Sequence, residues 1–152
     1  MPLVALFTWI LTVLLGLFLL AIWLIEYDSD YQRAAATRLP IPVIAGHVLL
    51  AVSGLGLWIG YLVTDHDVFA KGALAVLAVV VTLGLTMAAR WLVVRRQRPA
   101  AALGVGAGAG AAVQIAVPPE RHFPVSVVIV HGLLAFTTAT LVLLTNLGVG
   151  GS

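Results

Sequence analysis

Apolar residues dominate four long stretches of this chain, and short polar segments separate them. The four stretches cover residues 3–25, 41–64, 68–93 and 124–147. A helix needs ~20 predominantly apolar residues to cross the hydrocarbon core of a bilayer, and each stretch is long enough. The pattern therefore predicts an all-α integral membrane protein, a single domain built as a bundle of four membrane-spanning helices.

The composition agrees with a lipid environment. Of the 152 residues, 62% are hydrophobic and 9% are charged, whereas charged residues make up ~25% of a typical soluble domain. The chain has no cysteine, which excludes iron–sulfur clusters, thiolate zinc sites and covalently attached c-type haem. The net charge is +2, and no basic tract is present, so we expect no binding of nucleic acid.

Nearly all cationic side chains belong to one side of the predicted membrane. They lie in the first and third connections or at the end of the third span, and they are Arg33, Arg38, Arg90, Arg95, Arg96, Arg98 and Arg121. Because cationic loops remain in the cytoplasm, we expect this side to be cytoplasmic and both termini to be outside. The preference for Arg over Lys among abundant Ala, Val and Gly is typical of GC-rich bacteria, which predicts a location in a bacterial inner membrane.

Two segments share the pattern Pro-x6-His-x-Leu-Leu-Ala. PIPVIAGHVLLA starts at Pro40 and PVSVVIVHGLLA starts at Pro124, and they match at six positions without a gap. The preceding spans match as well, because LGLFLLAIWL (15–24) and LGLTMAARWL (83–92) share six of ten residues. Identity over both helices of each half indicates an internal repeat.

We therefore predict two helix hairpins, residues 1–66 and 67–152, arranged as a parallel repeat about an axis along the membrane normal. The second copy carries a Gly/Ala-rich insertion, so the connection 99–117 is expected to be flexible. His47 and His131 each lie seven residues beyond the proline that starts their helix. At 1.5 Å per residue, both rings should lie ~10 Å into the membrane from the cytoplasmic side.

Two histidines at one depth on parallel helices predict axial ligation of one haem b. Haem iron can take an imidazole on each face of the porphyrin, and a four-helix bundle can supply them from facing helices. Small residues on the same faces would leave room for the ring, and cationic residues at the surface would hold the propionates or a quinone head group. The predicted site residues are His47, Ala51, Gly54 and Trp58 on the second helix, His131, Ala135 and Thr138 on the fourth, and Arg38, Arg121 and His122 at the surface.

A four-helix membrane core with paired histidines resembles the b-type cytochromes of the cytochrome b561 and respiratory cytochrome b kind. The resemblance rests on Pro-x6-His-x-Leu-Leu-Ala in the second and fourth helices. It implies a haem-b protein that transfers electrons in a quinone-linked chain, as a carrier or subunit rather than an independent enzyme. Those proteins usually hold two haems between four intramembrane histidines. This chain has two such histidines, so we expect one haem per chain at most.

Other functions are compatible with the same residues. Intramembrane histidines also occur in quinone sites and proton relays, or the pair could be purely structural in an accessory subunit of a larger complex or homo-oligomer. A zinc or copper site is disfavoured because only two strong ligands share this depth. A transporter or channel is disfavoured because the spans lack intramembrane carboxylates and central prolines. On the outer side, Asp65, His66 and Asp67 form either a solvated loop or a cation-binding cluster.

Overall fold

The computed structural model describes residues 1–27, 37–96 and 118–149. Within them it contains no strand and four α-helices, which are α1 (Pro2–Glu26), α2 (Ile41–Thr64), α3 (Asp67–Arg96) and α4 (Val125–Asn146). All four are long and apolar enough to cross a membrane, so the predicted all-helical, multi-pass architecture is confirmed. The connection 99–117, which we predicted to be flexible, lies outside the described residues.

Prolines and one tight turn determine where the helices begin and end. Pro40 and Pro124 are the N-caps of α2 and α4, and Pro2 lies in the first turn of α1. A proline there forfeits no helical hydrogen bond, because the first N–H groups of a helix have no intrahelical acceptor. Between α2 and α3, Asp65 adopts a left-handed conformation with φ of 55°. Its N–H donates to Tyr61 O at 2.8 Å and closes α2, so α3 returns antiparallel to it.

The four helices form a bundle in which each helix has two neighbours and one helix diagonally opposite. α2 packs chiefly against α3, and α1 packs chiefly against α4. Within the described residues, α1 makes no close backbone contact with α3, nor α2 with α4, so these pairs lie across the bundle from each other. The closest pairs are therefore not the sequence hairpins α1–α2 and α3–α4, and the hairpin repeat stays a prediction.

The two ends of the bundle differ in charge. We call one the basic end; it contains the C-termini of α1 and α3 and the N-termini of α2 and α4, with Arg38, Arg90, Arg95, Arg96 and Arg121. The other, with the turn at Asp65, is the opposite end. Large apolar side chains such as Phe7, Phe18 and Phe136 are exposed on the outside of the helices, which suits a lipid-facing surface.

A buried glutamate ties segments together at the basic end. A short 3-10 helix (Pro119–His122) precedes α4, and its Glu120 is fully buried. The Glu120 carboxylate accepts a hydrogen bond from Arg38 N at 2.7 Å and another from Thr37 Oγ1 at 3.0 Å. Since a buried carboxylate is costly unless it is hydrogen-bonded, these two bonds explain how this end tolerates it.

The buried residues of the bundle form two layers, and the stretch between these layers contains no buried residue. Near the opposite end, the buried cluster consists of Ala5, Trp9, Trp58, Ala70, Ala73, Leu77, Val80 and Val142. At the basic end, the buried residues are Trp23, Leu39, Trp91, Val94, Pro119 and Glu120. Between them lies what we call the middle layer, residues 10–22, 41–53, 81–90 and 125–137, where no residue is buried. Every side chain of the middle layer is therefore at least partly exposed, unlike the buried residues on either side of it.

Candidate functional site: a histidine pair

Two histidines from diagonally opposite helices meet in the middle layer. The ring centres of His47 on α2 and His131 on α4 are 6.4 Å apart, and the ring planes are inclined by 58°. Both side chains are partly buried. Because α2 and α4 do not touch each other closely, the two rings reach toward each other across the bundle. The structure thus brings together the two residues that the repeated motif paired.

Each histidine ring is held by a backbone carbonyl of the neighbouring helix. His47 Nδ1 lies 3.0 Å from Val80 O on α3, and His131 Nδ1 lies 3.0 Å from Thr12 O on α1. A carbonyl oxygen only accepts hydrogen bonds, so Nδ1 must carry the proton in both rings. In the neutral imidazole this leaves a lone pair on each Nε2, and neither Nε2 is hydrogen-bonded to a described residue.

Two glycines make room for the rings. A Cβ at Gly16 on α1 would lie 3.1 Å from His131 Cε1, and a Cβ at Gly84 on α3 would lie 3.1 Å from His47 Cε1. Carbon atoms normally approach to ~3.5–4.0 Å, so any larger residue would displace the ring. These contacts match each other across the bundle, as do the two carbonyl contacts.

Three of the predicted site residues are buried on the side of the middle layer that faces the opposite end. Trp58 is fully buried, its indole N–H donates to Pro2 O at 3.2 Å, and it lies eleven residues beyond His47, or ~16 Å along the helix. A Cβ at Gly54 would lie 3.0 Å from the Trp9 ring. Thr138 Oγ1 donates to Thr8 Oγ1 at 2.9 Å. These contacts are with residues other than the histidines, and the role of these three residues beside a cofactor stays a prediction.

Ala51 and Ala135 are closer to the histidines. Each follows its histidine by four residues, one helical turn toward the opposite end, and each is partly buried. Residues four apart lie on the same helix face. These two small side chains therefore lie in the middle layer, on the histidine-bearing faces of α2 and α4.

The cationic residues predicted to hold a polar group lie at the surface of the basic end. Arg38 is exposed, and its backbone binds Glu120 and the guanidinium of Arg90. His122 Nδ1 lies 3.6 Å from Glu26 Oε2, with both side chains more than two-fifths exposed. Arg121 is partly buried in the 3-10 helix. All three lie at the basic end, outside the middle layer but next to it.

The acidic turn at the opposite end is separate from the histidine pair. Asp65, His66 and Asp67 are all exposed. In the described ranges, no group of three or more His, Cys, Asp or Glu side chains is placed to hold a metal ion. The structure gives this turn no feature beyond that of a solvated connection.

Sequence reasoning did not assign Gly16, Gly84, Trp23 and Trp91 to the site. Trp23 and Trp91 are 5% and 9% exposed, and neither buried indole N–H has an acceptor among the described residues. The signal was available, because both the glycines and the tryptophans are identical at equivalent positions of LGLFLLAIWL and LGLTMAARWL. Identity at equivalent positions of the aligned repeat singles out these four residues.

Comparison with known proteins assigns no relationship. No protein-family model, no curated protein and no solved structure matches this chain. The function has to be argued from the geometry of the site alone.

Proposed function

We propose that this protein binds one haem b between His47 and His131 and serves as a membrane electron carrier or electron-transfer subunit. The observation that carries the proposal is the 6.4 Å between the ring centres. A metal-bound imidazole nitrogen lies ~2.0 Å from its metal, and the ring centre lies ~1.1 Å behind that nitrogen, so two imidazoles on opposite sides of one ion would have centres ~6.2 Å apart. Rings rotated about a shared axis also account for planes inclined at 58°.

The donor set suits a haem iron. Metal-ligating histidines usually donate their other N–H to a carboxylate or backbone carbonyl, and both Nδ1 atoms lie 3.0 Å from such carbonyls. Zinc requires about four ligands, and transition metals are generally held by several side chains. The described residues supply only this pair. Two protein ligands suffice when a macrocycle supplies the remaining donors, as in haem.

The surroundings of the pair also suit a flat macrocycle. The middle layer contains no buried side chain, whereas the layers on both sides of it contain the buried residues of the bundle. Gly16 and Gly84 remove side-chain bulk next to the rings. Ala51 and Ala135 keep the neighbouring turn small.

The same hydrogen bonds limit what can lie between the two rings. Two neutral imidazoles that both donate from Nδ1 present only acceptors at Nε2, so they cannot hydrogen-bond each other directly. An oxidised quinone oxygen is also an acceptor and gains no hydrogen bond from such rings. The two lone pairs can bind one metal ion or accept from a donor such as water or a quinol hydroxyl, and the 6.4 Å between the ring centres favours the metal.

The glycine and carbonyl contacts that α1 makes with the histidine of α4 have the same arrangement as those that α3 makes with the histidine of α2. This match supports the predicted parallel repeat. The concentration of arginine at the basic end supports its location in the cytoplasm of a bacterial cell. When bound, haem supplies a one-electron redox centre. With one centre near the basic end, we expect exchange with partners on that side, such as quinone-linked enzymes.

The test is an optical spectrum of the protein purified after expression with ample haem. We expect sharp α and β bands on reduction, typical of low-spin bis-histidine haem. His47→Ala and His131→Ala should each abolish or convert these bands, while His66→Ala, at the exposed turn, should leave them unchanged. A wild-type protein without haem would refute the proposal. Retention of the low-spin spectrum in both intramembrane variants would refute the ligand assignment.

A further inference from the structure

Two tryptophans occupy equivalent places between the middle layer and the basic end. Trp23 on α1 follows Gly16 by seven residues, and Trp91 on α3 follows Gly84 by seven. Seven residues are two helical turns within ~20°, so each tryptophan lies on the same face as its glycine, ~10 Å further toward the basic end. Helical side chains lean toward the N-terminus of their helix, which for α1 and α3 is toward the middle layer.

Both indole N–H groups are unpaired in a buried position. Trp23 and Trp91 are more than nine-tenths buried, and their Nε1 atoms have no hydrogen-bond acceptor among the described residues. Leaving a buried donor unpaired is costly, and nearly all such groups in native structures have a partner. Trp58 has one, because its N–H donates to Pro2 O. Two equivalent unpaired donors therefore indicate a ligand with two acceptor groups.

We propose that the Trp23 and Trp91 indole N–H groups bind the two propionate carboxylates of the haem, an inference that rests on the proposed function. The histidines come from the α2–α4 diagonal, so a porphyrin between them lies in the plane of the other diagonal, formed by α1 and α3. These are the helices that carry the two tryptophans. Haem carries its two propionates on one edge. If that edge points to the basic end, one propionate would lie on each side of the bundle axis, and the tryptophans offer one indole donor on each side.

This assignment places a neutral donor at each propionate, with the Arg95 guanidinium 5.4 Å from the centre of the Trp91 ring. Arg38, Arg121 and His122 lie further out at the surface, where they contribute positive potential. A hydrogen bond to a charged group is roughly twice as strong as one between neutral groups, and burial of the indoles keeps water from competing. The tryptophans therefore act as positioning residues that fix the rotation of the macrocycle between the histidines.

The experiment measures the rate of haem transfer from the purified holoprotein to excess apomyoglobin. Variants are Trp23→Phe, Trp91→Phe and the double variant, which keep an aromatic ring and remove only the N–H. Trp58→Phe is the matched control, because it removes an indole N–H bound to the protein backbone. We expect each site variant to lose haem ~10-fold faster than wild type, as for one lost charge-assisted hydrogen bond, and the double variant faster still.

A second cofactor separates hydrogen bonding from packing. Iron octaethylporphyrin has no propionates, so wild type and the double variant should release it at equal rates. If the double variant also releases this porphyrin faster, or if the phenylalanine variants lose haem at the wild-type rate, the tryptophan assignment is wrong. Both results presuppose a low-spin wild-type holoprotein; its absence would instead refute the proposed function.

Discussion

Replacing Gly84 by alanine tests whether the rings need the space that the glycines leave. The added Cβ would lie 3.1 Å from His47 Cε1, which is at least ~0.4 Å closer than a relaxed carbon contact. The ring must therefore retreat by about that distance, and its 3.0 Å hydrogen bond to Val80 O must lengthen or bend. Binding sites need their groups held within ~0.5 Å, so this shift consumes most of the tolerance.

We expect Gly84→Ala to weaken haem binding ~10-fold, or ~1.4 kcal/mol, which lies at the lower end of the 1–3 kcal/mol typical of overpacking at one contact. Gly84→Val, which adds two more carbon atoms beside the ring, should abolish the low-spin spectrum. Gly16→Ala should repeat the effect of Gly84→Ala through His131, because its Cβ would also lie 3.1 Å from the imidazole. The measurement is haem affinity by titration of apoprotein in detergent, followed through the Soret band.

The matched control is Gly56→Ala on α2, where an added Cβ has no neighbour within 4 Å. Alanine is favoured over glycine in a helix interior by up to ~1 kcal/mol, and all three alanine variants gain this helix propensity, but only those at Gly16 and Gly84 also press on a histidine ring. Only the two beside the histidines should lose affinity for haem. If Gly84→Val and Gly56→Ala bind haem equally well, the reasoning about ring clearance fails.

Four further changes test the fold and the site. Glu120→Ala should lower the unfolding free energy by ~2 kcal/mol or more, because it leaves two hydrogen-bond donors without their acceptor, and thermal denaturation in detergent measures this; an unchanged midpoint would contradict it. Thr8→Val and Thr138→Val should show a coupling energy of ~0.6 kcal/mol in a double-mutant cycle, and strictly additive effects would mean that their hydrogen bond adds nothing. Since the chain has no cysteine, single cysteines at His66 and Arg38 report topology; an impermeant thiol reagent applied to intact cells should label the first only, and the reverse would overturn the orientation. Haem at a hundred times its dissociation constant should stabilise the protein by ~2.7 kcal/mol, and a melting temperature indifferent to haem would show that the folded state does not bind it.

Hydropathy predicted the number of membrane helices well because the bilayer imposes a length on each. The histidine pair was also accessible from sequence, since the repeated spacing from Pro40 and Pro124 sets equal depths on parallel helices. Which helices pack closest was not accessible. The strongest contacts join α2 to α3 and α1 to α4, and hydrophobic periodicity alone does not choose among the neighbours of a four-helix bundle.

The residues expected around the cofactor show a second limit. Stepping along one helix face from His47 correctly identifies residues that point the same way, but it does not limit how far along the axis a ligand reaches. Trp58 shares that face but lies ~16 Å from His47 along the helix, where it packs with Trp9. The closer neighbours of the rings, Gly16 and Gly84, come from other helices, and only the alignment of the two halves indicated them.

The distribution of packing along the bundle gives the site a structural meaning beyond ligation. α1 and α3 face each other across the middle layer without close backbone contact, and no described residue of that layer is buried. A flat, largely apolar macrocycle between the histidines would bury the partly exposed side chains of this layer and join the two buried layers into one core. On the proposed function, haem is therefore both the redox centre and a structural part of the bundle, with the unpaired indoles marking where its polar edge meets the protein.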